Sequence, residues 1–438
     1  MRLNILKSPT LKRILNGSFW NFVATLFTQG ATFSTNIILA RILGKEIFGE
    51  YAGVYNCLLI MSSIAQLAIG YTATKYIAEF RNCDKEKTGR IIGLCFFTSL
   101  YSALAGGIIL FCMSGIIATV FFKAPNLTAF LQYGSCFVFF SVLNGLFSGI
   151  LCGLEKFKKL ASGSITSAVL QILLFSVGTA VWGMTGAVIS LTLSGLLRLV
   201  IFFVISCNSL KAEHIKPVFT GYRKEKSIIT RFALPAAMAG LFSMPVIFMT
   251  NTILIRTQDG FKEMASYAAA NSLKQLVLFL PLIINSVGLS ILNNTKGEKN
   301  NSAYFKVYHA NIAFIVISAI CGTLFVGIPG KYILWIFGKS FISDTGVLWI
   351  LLLSIIPESL SIGMYQHMQS QEKLWSSLLF INLPREGVFL VLSFILIPVY
   401  KAQGLAIAYC ISWMLCAVII YIFVQYHQKE KNPKIWRE

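Results

Sequence analysis

Lys274, Glu358, Arg385 and Glu386 are charged residues set inside long apolar runs. A charge at the centre of a membrane span costs about 2.5–3.5 kcal/mol on insertion scales, so such residues usually serve a function. A lysine or arginine in a low-dielectric cleft offers fixed positive charge to an anion. Arginine's forked donors match phosphate in particular. A buried carboxylate can instead take up a proton or a cation. Arg385 lies between Pro384 and Glu386, and Pro357-Glu358 again pairs a proline with an acid. Each proline frees a backbone carbonyl and bends its helix. Two readings stay open for these residues. They bind an anion (Lys274, Arg385) and couple to H+ or Na+ (Glu358, Glu386), or they serve only as local ion pairs and a snorkelling lysine.

A second set is uncharged. Ser18, Asn21, Thr25, Thr28, Gln29, Thr32 and Asn36 recur every three or four residues and so form one polar stripe along a helix. Facing lipid, these groups would lack hydrogen-bond partners. The stripe therefore faces neighbouring helices or a wet cavity. We expect Asn21, Thr25, Thr28, Gln29 and Thr32 to line a cavity. Asn56 joins them, as do Asn271 and Gln275 beside Lys274. Arg41 and Arg256 are expected to frame its mouth, and Arg198 to snorkel at the cytoplasmic end of its span.

The elements that position these residues are membrane helices. The chain of 438 residues is 56% hydrophobic and 12% charged, with mean hydropathy +0.72. Soluble proteins carry roughly twice that charged fraction. Apolar stretches long enough to span a bilayer recur about every 35 residues. The expected fold is all-α, with about twelve transmembrane helices at roughly 17–40, 47–71, 90–118, 127–152, 160–181, 184–206, 228–254, 264–292, 304–328, 343–368, 374–398 and 402–426. Strand alternation is absent, which argues against a barrel.

The net charge of +20 is scattered over short loops rather than gathered on one soluble face, so nucleic acid is not an expected partner. Loops assigned to the inside carry 26 Lys and Arg, and those outside carry 8. That bias places both termini in the cytoplasm, and no cleavable signal is evident. The longest polar stretch, 207–227, divides a lobe over 1–206 from one over 228–426, with a basic tail at 427–438. The ten cysteines form no Cys-x-x-Cys pair, and the four histidines no His-Glu-x-x-His helix, so no metal is expected. Loops for ATP phosphates and hydrolase elbows are also missing. The expectation is a transporter rather than an enzyme, with no cofactor beyond a coupling H+ or Na+.

The second half echoes the first. Ile38-Leu39-Ala40-Arg41 reappears as Ile253-Leu254-Ile255-Arg256, Glu155-Lys156 as Glu372-Lys373, and Gly186 as Gly404. The offset drifts only from 215 to 218 residues. Such duplicated halves are how many transporters build a path between matching lobes.

Several stretches carry a family resemblance. They are Asn21, Leu39-Ala40-Arg41-Ile42-Leu43-Gly44, Phe48-Gly49-Glu50-Tyr51, Lys75-Tyr76-Ile77-Ala78-Glu79-Phe80, Gly153-Leu154-Glu155-Lys156-Phe157-Lys158 and Phe232-Ala233-Leu234-Pro235. With these the chain resembles the polysaccharide-exporter flippases of the O-antigen (Wzx-like) group. That group belongs to the superfamily that also holds the multidrug and toxin extruders. The resemblance implies two pseudo-symmetric six-helix bundles around a central cavity that opens to either side in turn. It implies a bacterial inner-membrane flippase for an undecaprenyl-diphosphate-linked oligosaccharide, such as an O-antigen or capsule repeat unit. Lys274 and Arg385 match the role of diphosphate-contacting cations. Implied partners are the lipid-linked oligosaccharide, membrane lipids, and a polysaccharide polymerase and chain-length regulator of lipopolysaccharide-type pathways. The alternatives are a cation-coupled multidrug antiporter and, further off, a membrane glycosyltransferase or polymerase.

Overall fold

Gly44, Gly183 and Lys401 organise the chain, because each breaks a long helix into two membrane passes. The computed structural model describes residues 9–225, 228–297, 301–370 and 378–431. Arg2, Lys7, Lys226, Lys299, Lys373, Lys434 and Arg437 of the charge bias lie outside them, as do Glu372 and the start of the eleventh expected span. So do the side chains of Lys12, Arg13, Arg223, Lys224, Arg231, Lys296, Lys306, Lys429 and Lys431.

The helices are α1 (Pro9–Gln66), α2 (Ile69–Phe80), α3 (Lys85–Ile116), α4 (Thr128–Gly153), α5 (Phe157–Ala212) and α6 (Leu234–Ile255). They continue with α7 (Gly260–Gly297), α8 (Asn301–Gly327), α9 (Gly330–Phe337), α10 (Thr345–Ser370) and α11 (Leu383–Lys431). The breaks within α1, α5 and α11 fall at Gly44 (φ 78°, ψ 171°), Gly183 (φ 56°, ψ −133°) and Lys401 (φ 49°, ψ −125°). With α1, α5 and α11 counted as two passes each, and α3, α4, α6, α7, α8 and α10 as one, the described residues make the twelve passes expected. No strand occurs among them.

The breaks also carry the duplication. Gly183 and Lys401 lie 218 positions apart and share nearly the same unusual backbone. Gly44 and Asp259, and likewise Lys123 and Gly338, lie 215 apart and all have positive φ. Gly186 packs directly on the carbonyl of Gly178, and Gly404 on that of Leu396, again 218 apart in both members. A Cβ at either glycine would collide with the facing carbonyl, so close packing across the break explains both glycines.

Large apolar side chains point outward, among them Val177 and Trp182 at 64% exposure and Phe325 at 81%. Outward apolar surface of this extent is how a protein meets lipid rather than water. The chain forms two compact units. One is Phe19–Ala265; the other takes the described chain from Ser266 onward, with the turns before Phe19. In the first unit, α2, α3, α4 and α5 pack in succession around Ile77, Ile91, Leu146, Ile150 and Phe202. In the second, α8 packs on α10 and α10 on α11, with Met364, Ile381, Cys416 and Ile420 at a shared core.

One segment differs from expectation in length. Polar residues suggested a linker from 207, but α5 continues through Ala212, with Lys211 in its last turn facing the negative end of the helix dipole. The chain that follows lies along α3. Val218 N–H donates to Gly89 O at 3.0 Å. Phe219 packs on Phe96 and Phe97, Tyr222 stacks on Phe97 at 4.8 Å, and Glu225 meets Arg90 at 3.3 Å.

Candidate functional site: a buried charge network in α7, α10 and α11

Three helices of the second unit bring the intramembrane charges together. Pro281 on α7 and Pro357 on α10 sit inside their helices, and Pro384 lies in the first turn of α11. A short π-helical segment, Leu378–Asn382, precedes α11. π-Turns and prolines re-aim the side chains beside them, and they are frequent at functional sites.

Lys274 Nζ lies 2.8 Å from Glu358 Oε2, and the two side chains are only 5% and 7% exposed. Lys274 also donates to the Tyr409 hydroxyl at 2.6 Å, and that hydroxyl donates to Glu358 Oε1 at 3.1 Å. The three residues form a closed triangle. The Nζ stands 3.9 Å from the Tyr409 ring centroid, which adds a cation–π contact. Glu358 Oε2 has the ion pair but no partner in hydrogen-bond geometry.

Arg385 forms an ion pair with Glu386, and its guanidinium lies 4.2 Å from the Trp413 ring centroid. Trp413 meets Tyr409 at 6.2 Å, one helical turn away, and Tyr409 packs edge-on to Phe389 at 5.7 Å. A continuous path thus runs from Lys274 through Tyr409 and Trp413 to Arg385. Its formal charges, two cations and two carboxylates, sum to zero. Buried charges that pair with one another remove most of the cost of holding them away from water, and losing one partner restores it.

Of the expected site residues, Lys274, Glu358, Arg385 and Glu386 are therefore brought together. Asn271 and Gln275 share α7 with Lys274 and are half-buried and exposed, respectively. In the first unit the stripe on α1 is partly satisfied by its own backbone. Thr25 donates to Asn21 O at 2.9 Å, Thr28 to Ala24 O at 2.9 Å, and Thr32 to Thr28 O at 3.1 Å. Asn56 donates to Ala52 O at 2.8 Å. Asn21 is exposed and Gln29 half-buried.

Arg41 is exposed at the end of the first pass of α1. Arg256 donates from Nε to Phe121 O at 2.9 Å and from Nη2 to Val120 O, so it closes carbonyls that the π-turn after α3 leaves open. Tyr51 and Tyr55 stack at 5.9 Å with rings 6° apart. Tyr365 packs on the core of the second unit. Among the described residues, no three His, Cys, Asp or Glu side chains cluster as metal ligands would.

Sequence reading missed Tyr409 and Trp413. Both sit in the apolar run Ala406-Ile407-Ala408-Tyr409-Cys410-Ile411-Ser412-Trp413, four residues apart and away from a span end. Interfacial anchoring accounts for aromatics at span ends but not for a tyrosine at this position, and that was the available signal.

Comparison with known proteins fits this architecture. A family model described as "Polysaccharide biosynthesis protein" matches residues 14–291. The EPS I polysaccharide export inner membrane protein EpsE of Ralstonia solanacearum is 20% identical over 379 residues, spanning 84% of this chain and 83% of that protein. The inward-facing structure of a multidrug resistance MATE family transporter of the MOP superfamily superposes with a TM-score of 0.79 at 16% identity, covering 94% of this chain and 96% of the other. A MOP superfamily transporter from Pyrococcus furiosus, with a binding pocket described as of reverse polarity, gives 0.68 at 15% identity and 96% of each chain. At these identities the structural likeness speaks for the fold alone.

Proposed function

We propose that this chain, which belongs to the polysaccharide biosynthesis protein family and has the fold of MOP superfamily transporters, flips an undecaprenyl-diphosphate-linked oligosaccharide across a bacterial inner membrane. The observation that carries the reading is the sealed Lys274–Glu358–Tyr409 triangle with Arg385–Glu386 beside it. Such a cargo has a greasy tail, a diphosphate and several sugars. The tail can stay in lipid while the polar head crosses by alternating access. The diphosphate needs fixed positive charge in a low-dielectric site, which Lys274 and Arg385 supply.

Both cations already hold a carboxylate, so the headgroup has to compete with Glu358 and Glu386. Uptake of a proton by Glu358 would neutralise it, release Lys274 to a phosphate oxygen and keep the local charge balanced. The same carboxylates could take Na+ instead. Asn21, Thr25, Thr28, Gln29, Thr32, Asn56, Asn271 and Gln275 offer hydroxyls and amides to sugars. Arg41 and Arg256 would stand at the entrance. The reading places both termini in the cytoplasm and the lobe boundary at 207–227. It puts a polymerase and chain-length regulator downstream.

The test is complementation of a deletion strain with Lys274→Ala and Arg385→Ala. Surface polysaccharide is expected to fall at least tenfold, corresponding to the loss of one charge-assisted contact of roughly 1.5–3 kcal/mol, while the proteins still insert. Normal surface polysaccharide in both mutants removes the anion-binding reading. A deletion strain that keeps its polysaccharide but becomes drug-sensitive favours the multidrug antiporter, a reading suggested by the MATE structural likeness.

A further inference from the structure

The two halves of the duplication diverge at Pro329. At the 215-residue offset its counterpart is Ser114, and there α3 runs straight on into the π-turn Ile117–Phe121. Proline has no N–H with which to continue a helix. The last helical bond of α8 therefore runs from Ile328 N–H to Leu324 O, at 3.0 Å. A new helix starts on the Pro329 carbonyl, which accepts from Tyr332 at 2.9 Å and Ile333 at 3.0 Å. This is α9, eight residues from Gly330 to Phe337, and Gly338 at φ 146° stops it.

α9 has two unlike faces. Leu334 and Phe337 are fully buried, and Phe337 packs on Phe341 at 6.0 Å. Gly330 lies so close to Leu348 of α10 that an added Cβ would press on its side chain. The opposite face shows Lys331, Tyr332, Trp335 and Ile336, with Tyr332 76% exposed. Because the inner face is fixed on Phe341 and α10, the helix cannot roll to hide the outer one.

That outer face prolongs a strip already turned to lipid. Phe314, Ile317, Leu324, Phe325 and Ile328 point outward along α8 and just past its end. The apolar window Val307–Gly327 holds 21 residues. At about 1.5 Å per residue it covers roughly 31 Å, the depth of a ~30 Å hydrocarbon layer. α9 thus begins where the hydrocarbon ends. Tyrosine and tryptophan suit that level, with an apolar ring and one polar atom each. Lys331 and Lys339 flank the helix, are exposed, and meet no carboxylate among the described residues. The charge bias assigns both to the outside, where basic residues are few. Two unpaired cations beside one short helix at headgroup level are matched by the phosphates of anionic lipids, which their long stems can reach.

We propose that α9 is a bilayer-docking helix: it lies along the headgroup layer, with Tyr332 and Trp335 at the hydrocarbon boundary and Lys331 and Lys339 on the phosphates of anionic phospholipids. The occupant of this face is the bulk lipid of one leaflet, so the inference does not depend on the cargo. It gives the second unit an anchor of fixed depth that the first half, with Ser114 in place of the proline, does not build at the same position.

The experiment places a fluorophore on Tyr332→Cys of the full chain in phosphatidylcholine nanodiscs, with the exposed cysteines Cys83, Cys112, Cys136 and Cys321 replaced by alanine. Lipids carrying a nitroxide at the headgroup or at the end of the acyl chain report its depth, and aqueous iodide reports exposure to water. The headgroup nitroxide is expected to quench most strongly. The same fluorophore on Ser343→Cys, exposed in the turn that follows, is expected to respond mainly to iodide. Nitroxide-bearing phosphatidylglycerol should quench at position 332 about fivefold more effectively than the phosphatidylcholine equivalent, and Lys331→Gln with Lys339→Gln should remove that preference. Iodide access at 332 equal to that at 343 overturns the proposal. So does strongest quenching from the chain end, which would make α9 part of a span. Protection from both lipid nitroxides and iodide overturns it too, and assigns the face to a second copy of the chain. Equal quenching by the two lipids overturns the anionic match. If the cysteine-replaced chain does not fold, hydrogen exchange of 330–337 in the wild type decides: added phosphatidylglycerol should slow it, and should not do so in the double lysine variant. Exchange unaffected by the lipid in the wild type overturns the proposal.

Discussion

Lys274 and Glu358 meet at 2.8 Å inside a membrane protein, with almost no access to solvent. Each is tolerable there because of the other. The pair is thus a stability element as well as the proposed point of cargo contact, and the two roles can be separated. Glu358→Gln alone leaves a buried ammonium without its counter-ion and is expected to cost about 3–5 kcal/mol. The double change Lys274→Met with Glu358→Leu should regain most of that, yet remain unable to export. Thermal unfolding in detergent beside a surface-polysaccharide assay reads both. A single mutant as stable as the parent would mean the charge is not buried.

Tyr409 joins that pair through one oxygen atom, which accepts from Lys274 and donates to Glu358. Tyr409→Phe keeps the ring packing on Phe389 and Trp413 and removes only the hydroxyl. The expected loss is about 1–3 kcal/mol, since two buried polar groups each lose a partner. Unchanged stability would show that Lys274 and Glu358 close up without it.

The chain after α5 is held against α3 through two glycines. A Cβ at Gly89 would run into the carbonyl of Lys216, and one at Gly93 into that of Val218. Gly89→Val and Gly93→Val are expected to lift this strap, at about 1–3 kcal/mol each. Limited proteolysis should then cut near 213–225 faster. Gly115→Ala on the same helix is the control, because nothing lies within 4 Å of its added Cβ.

Lys401 holds the backbone that glycine holds at the equivalent Gly183, with φ 49° and ψ −125°. A side chain there is strained. Lys401→Gly should therefore raise stability by about 1 kcal/mol, seen as a higher melting temperature. A fall would mean that the lysine's own contacts outweigh the backbone relief.

The number of passes, the internal duplication and the identities of the intramembrane charges were all legible in the amino-acid order. Each depends on local properties: apolar run length, helical periodicity, and glycine where the backbone must turn back. Even the stripe from Asn21 to Thr32 could be placed on one face, because three- and four-residue spacing decides that without a partner helix.

What tertiary structure decided was who meets whom. Glu358 lies 84 positions from Lys274, and Tyr409 lies 135 away. Periodicity names the face a residue occupies but not the helix opposite that face. Lys274 and Arg198 look alike in sequence: each is one cation in an apolar span. Only the packing of α7, α10 and α11 gives Lys274 the carboxylate of Glu358, whereas Arg385 has Glu386 beside it in the chain and Arg198 lies against the Phe202 ring. A charge in low dielectric takes its meaning from its neighbour within a few ångströms, and long-range packing alone selects that neighbour.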